Sequence, residues 1–127
     1  MLRLAFVLLY IAIDIAYIYL SLDKYNVATK SIQGSGMIGR MLPAALAYVS
    51  LAVGWWFLVA PVAEKGTIKD AALAGFVYGV AVYGVINFTM SAMFVGWTGH
   101  IMIRDFVWGC TNATILTCLY KYFLTYK

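Results

Sequence analysis

Charge is what this chain has least of. Of its 127 residues only 11% are Asp, Glu, Lys or Arg, while 65% are hydrophobic. A soluble domain is roughly a quarter charged and about half apolar. A water-soluble fold of this length cannot hide so much apolar surface, so a bilayer must act as its solvent. The nine Lys and Arg are scattered, with no basic run, which removes the footprint of nucleic-acid binding. Cysteine is nearly absent. Cys110 and Cys118 share one apolar stretch, and on a helix they stand about 12 Å apart, too far for a disulfide. A single histidine, His100, gives no metal set. No Ser-His-Asp, zinc or nucleotide pattern occurs, so hydrolase or kinase chemistry has no support, and no cofactor, metal or catalytic residue is expected.

Long hydrophobic runs are what the chain does have. Charged borders mark four, predicting helical spans over about 2–22, 41–63, 71–95 and 101–123. Each suits a membrane helix of about 20 residues, whereas barrel strands are about half as long and alternate. The expected fold is all-α, an integral membrane four-helix bundle filling residues 1–127 as one domain. Arg3 ahead of an apolar run superficially resembles a signal peptide. The run is too long for one, contains Asp14 and lacks a small-x-small site, so it reads as a retained span. Pro43 suits a first helical turn, and Pro61 sits where the second helix can stop. Four spans place both termini on one face. Arg3, Lys65, Lys69, Lys121 and Lys127 flank that face, against Lys24, Lys30, Arg40 and Arg104 on the other, which tilts both termini toward the cytoplasmic side.

Between the first two spans, residues 25–32 mix apolar and polar side chains and read as a short interfacial helix. Gly34, Ser35, Gly36 and Gly39 then break it. That stretch has no Gly-Lys-Ser/Thr ending and no preceding strand, so it is a flexible loop and not a phosphate loop. Tyr25, Trp97, Tyr120, Tyr122 and Tyr126 near span ends are expected at headgroup level. Trp55 and Trp56 lie deeper, as packing residues.

The polar residues inside the spans are the candidates for a site. Asp14 stands near the middle of the first, where a carboxyl group is costly and needs partners. Asn87 with Thr89 in the third span and Asn112 in the fourth are expected to join it in an intramembrane polar cluster. As a clasp they fix helix register; as a path they pass a proton or small solute. Ala71, Gly75, Gly79 and Tyr83 recur every fourth residue, a small-residue stripe for close helix packing. Arg104 and Asp105 open the fourth span, Asp105 suiting a helix N-terminus and Arg104 the headgroups. Together with Trp97 and Trp108 they are expected at the interface. The Asn-x-Thr patterns at Asn87 and Asn112 lie within spans, where no glycan fits.

Gly75, Tyr83, Asn87, Thr89, Gly96 and Trp97, followed by Asp105, Trp108 and Gly109, resemble the signature of a family of small membrane proteins of unassigned function, the DUF2177-like proteins of bacteria and some large DNA viruses. The usual pattern has an Asp in the first span, matched by Asp14, and Asp-x-x-Trp-Gly opening the fourth, matched by Asp105, Trp108 and Gly109. It also has Tyr-Asp-Leu-Thr-Asn in the third span, where this chain has Ile86, Asn87, Phe88, Thr89 and Met90, and a Lys-Gly-Trp turn, where it has Val95. The resemblance implies the four-helix membrane fold over nearly the whole chain. Small size and the packing stripe predict a structural or assembly subunit, in contact with lipid and with other protein subunits. The viral members suggest an internal virion membrane or minor capsid layer as its setting. The alternative is a small oligomeric transporter or channel using Asp14.

Overall fold

The computed structural model describes residues 1–126, all helix and connecting turn. Lys127, counted above among the flanking charges, lies outside the described residues. The helices are α1 (Leu2–Leu20), α2 (Leu22–Gln33), α3 (Met41–Gly54), α4 (Ala60–Lys65), α5 (Ile68–Met93) and α6 (Gly99–Thr125). A single π-helical stretch, Trp55–Val59, joins α3 to α4 without a break. Leu2–Leu20, Met41–Lys65 and Ile68–Met93 are long and apolar enough to cross a membrane. α6 is equally long but carries Arg104, Asp105 and Lys121. The chain is thus an all-α membrane protein of four long helical rods. Large apolar side chains such as Leu8, Val49, Leu73, Phe76, Val85 and Ile115 cover its outside, which is the surface lipid requires.

Local chemistry sets the helix ends. Thr67 caps α5 through a reciprocal box: its hydroxyl accepts from the Asp70 N–H at 3.3 Å, and the Asp70 carboxylate accepts from the Thr67 N–H at 2.7 Å. Such caps satisfy N–H groups that the helix itself leaves open. Gly34 ends α2 in the left-handed region, at φ 77°, a conformation that glycine adopts without a Cβ penalty. The glycine-rich loop after it is tied back on α2, because the Met37 N–H donates to Asn26 Oδ1 at 2.8 Å.

Two boundaries differ from expectation. Pro61 does not stop its helix, which continues to Lys65. A proline lacks an N–H and crowds the carbonyl four residues earlier; the wider π turn just ahead of it relieves that conflict. α6 starts at Gly99 behind Thr98. Asp105 therefore lies beyond the first turn, away from the exposed N–H groups, and His100 is part of the helix.

The closest helix pair is α5 on α6, and small residues allow it. A Cβ added at Gly75 would stand 2.6 Å from the Ala113 carbonyl oxygen, and one at Gly79 2.6 Å from Cys110 Cα. Ala71, on the same stripe, is fully buried. Gly109 of α6 repays the approach, since any side chain there would overlap the Tyr83 ring. Trp55 fills the lower core, edge-on to Tyr120 with ring centroids 5.2 Å apart, and donates to Thr117 Oγ1 at 3.1 Å. By contrast α3 has no buried residue. It leans on the bundle loosely, and its loose packing opens the cavity described next.

Candidate functional site

Two carboxyl groups hold the polar centre, in adjacent tiers. Asp14, buried on α1, accepts three hydrogen bonds. The Tyr83 hydroxyl donates to Oδ1 at 2.7 Å and Trp108 Nε1 to the same oxygen at 3.1 Å, while the Tyr48 hydroxyl reaches Oδ2 at 3.2 Å. Four helices thus meet on one side chain, α1, α3, α5 and α6. In an apolar medium an unpaired carboxyl group is costly, so this convergence is what the buried Asp14 requires.

The second tier repeats the plan one turn further along both α5 and α6. Asn87 follows Tyr83 by four residues, and Asp105 precedes Trp108 by three, spacings that place neighbours on one helix face. Asn87 Nδ2 donates to Asp105 Oδ2 at 2.7 Å, and Asn87 Oδ1 accepts from Trp97 Nε1 at 3.2 Å. The other Asp105 oxygen accepts from the Tyr25 hydroxyl of α2. Burial, and then the facing Asp105 carboxyl group, push the Tyr25 phenol above its ordinary range, so it serves as a donor. Tyr25 also stacks on Trp97, centroids 5.9 Å apart.

Arg104, next to Asp105 in sequence, turns away from both carboxyl groups. It donates to Ser21 Oγ at the α1–α2 junction and lies over the Tyr17 ring at 5.2 Å. Tyr17 is stacked flat on Trp108, with centroids 4.3 Å apart. Among the described residues the one ion pair is Arg3 with Glu64, near the far end of the bundle, where Tyr120 also donates to Glu64. No cationic side chain among the described residues is paired with Asp14 or Asp105.

Both tiers face a cavity of about 660 Å³. Its floor is Asp14, Tyr83, Tyr25, Trp97 and Asp105, and its walls are mostly apolar, including Ile18, Leu51, Val82 and Ile86, with the hydroxyls of Thr29, Tyr48 and Ser50 among them. Ala44 and Ala47 of α3 and Ile86 of α5 line it and are exposed. Met37, in the loop ahead of α3, is a further exposed lining residue, so the cavity reaches from that loop to the flanks of α3 and α5. Among the described residues no three His, Cys, Asp or Glu side chains are placed to hold a metal ion.

The structure distributes the expected polar cluster over different places. Asp14 and Asn87 belong to adjacent tiers and do not hydrogen-bond each other. Asn112 is buried one turn beyond Trp108 on α6, and its Nδ2 has no partner. Thr89 is exposed, on another face of α5 from Asn87. Trp97, expected at headgroup level, is buried, and so are Tyr25 and Tyr120. α2 lies across the Trp97 end of the bundle and covers it, Gly96 sitting so close to Ser31 of α2 that a side chain would collide with it, while Tyr120 at the far end packs against Phe6 and Trp55. Arg104, Asp105 and Trp108 are half-buried and take part in the polar network. Sequence reasoning missed Tyr48 and the role of Tyr83 and Tyr25 as donors. The available signal was a phenol within or beside an apolar run, whose hydroxyl needs a partner when buried.

The gathered residues are largely those of the sequence signature: Asp14, Tyr83 and Trp108 in one tier, Asn87, Trp97 and Asp105 in the other, with Gly96 and Gly109 permitting the close approaches. No curated protein and no solved structure matches the chain. Residues 1–122 match the family described as "Predicted membrane protein (DUF2177)", and with nearly its whole length covered the chain belongs to that family.

Proposed function

We propose that this multi-pass membrane protein binds a small solute in the cavity above Asp14 and carries it within or across the bilayer, without catalysing a reaction. The observation supporting this is a membrane cavity whose floor holds two carboxyl groups and no cationic partner. A clasp that only fixes helix register needs partners for its polar atoms; it has no need of an open space beside them. Concave, mostly apolar pockets with a few convergent polar groups are where small molecules bind, and intramembrane carboxyl groups commonly mark solute or proton routes. In this reading α6 is the fourth span, and both termini lie on one side, the cytoplasmic one.

Reconstituted into liposomes, wild-type protein is expected to support proton or solute flux under an imposed gradient. Asp14→Asn, which keeps the shape and removes the acid, is expected to abolish that flux while the protein stays folded. Absence of flux from the wild type under every gradient would remove the transport reading.

A structural or assembly role, with other protein subunits as partners, is the second reading. What favours it is α3, which buries none of its residues in the single chain and so offers a face to a neighbouring subunit. Nothing about the fold or the site is particular to a virion membrane or capsid layer.

A further inference from the structure

We propose that the cavity takes an amphiphilic amine, a protonated N–H head on an apolar body, entering sideways from the bilayer. This rests on the cavity being a solute site and adds the chemical class of the solute. Four observations converge on it.

The floor is acidic and uncompensated. Asp14 and Asp105 sit in adjacent tiers, and the nearest cation in sequence to Asp105, Arg104, is engaged with Ser21 and Tyr17. The Asp14 oxygens are unequally occupied. Oδ1 takes two donors, whereas Oδ2 has only the Tyr48 hydroxyl at 3.2 Å. Oδ2 thus keeps acceptor capacity toward the cavity, which an ammonium N–H can use in a charge-assisted bond.

The walls exclude an inorganic ion. A hard cation such as calcium requires about six or more oxygen ligands, and beyond the two carboxyl groups the lining offers only neutral hydroxyls, those of Tyr25, Thr29, Tyr48, Ser50, Tyr78 and Tyr83, among mostly apolar side chains. Aromatic rings at the floor, Tyr25 and Trp97, are suited to an organic cation, which they attract through their faces. The mouth selects for lipid solubility. Its exposed lining residues Ala47 and Ile86 belong to two helices long and apolar enough to cross a membrane, which gives a ligand dissolved in the bilayer an approach from the side.

The test is saturable binding to the full chain in lipid nanodiscs, read by equilibrium dialysis of each probe and by thermal shift. Three probes share one apolar body: 4-phenylbutylamine, its N,N,N-trimethylammonium analogue and 4-phenylbutanol. The amine is expected to bind about tenfold to a hundredfold more tightly than the alcohol, as befits one charge-assisted hydrogen bond. The quaternary analogue, charged but lacking N–H, is expected to fall between them. Asp14→Asn is expected to erase the amine's advantage. Ala47→Trp, at an exposed position that leaves the core alone, is expected to block every probe, and it serves as the test should Asp14→Asn fail to fold. Equal binding of amine and alcohol, both blocked by Ala47→Trp, would overturn the amine while leaving a solute cavity. A quaternary probe as tight as the amine would overturn the N–H contact to Asp14. No binding by any probe, or binding indifferent to Ala47→Trp, would remove the cavity site itself.

Discussion

At the scale of single residues, the missing side chains of Gly75 and Gly79 matter as much as the polar ones present. Each brings the α5 backbone against α6 at a distance where even one carbon has no room. Gly79→Leu is therefore expected to cost about 1–3 kcal/mol or more through overpacking, seen as a clear fall in the thermal midpoint of the detergent-solubilised protein. An unchanged midpoint would mean that the stripe faces lipid. Asn87 shows how fully one amide can be used: Nδ2 donates to both Tyr83 O at 3.0 Å and Asp105 Oδ2, and Oδ1 accepts from Trp97. Asn87 stands where the family pattern has Asp. An amide donates to the facing Asp105 in every protonation state, whereas a carboxylate there would repel it unless one of the pair held a proton.

At the scale of elements, α2 is the least expected participant. The sequence marks residues 25–32 as a short interfacial helix; a short helix does stand there, its Tyr25 closes the second tier and its Ser31 receives the turn at Gly96. Its end depends on a single backbone conformation. At Gly34 a Cβ would meet nothing within 4 Å, but φ is +77°. Gly34→Ala is expected to destabilise by about 1–2 kcal/mol through backbone strain alone. Gly39→Ala, equally open and not at positive φ, is expected to leave the thermal midpoint unchanged or slightly raised. Equal losses at both positions would show that loop flexibility, and not the left-handed cap, is what matters. The π turn at Trp55–Val59 also belongs to this scale. Its period differs from that of the flanking helix by a fraction of a residue per turn, too little to see in an apolar run where every position is hydrophobic.

At the scale of the whole molecule, lipid replaces the hydrophobic core that a soluble domain of this size would need. Carbonate-washed membranes are expected to retain the protein in the pellet, and tags at the two termini are expected to react with an impermeant reagent from the same side. Release into the supernatant would contradict an integral membrane fold, and tags reactive from opposite sides would contradict α6 as the fourth span. Medium, helix content and the positions of three helices long enough to cross a membrane were legible in the sequence because they follow from the length and polarity of contiguous runs, and Asp14 stood out because a carboxyl group at that depth has few alternatives to a polar centre. The pairing of that centre was not legible. Four residues along a helix keep a face but do not say which neighbour it meets, so Asn87 and Asn112 looked equivalent although one joins Asp105 and the other is left with an unpartnered amide. By itself, then, the sequence determined the solvent, the rods and the presence of buried polarity, all consequences of local composition. Only the tertiary structure decided the two-tier arrangement, the inward turn of Tyr25, Trp97 and Arg104, and the cavity beside α3, because these depend on how rods rotate and lean against one another across long separations in the chain.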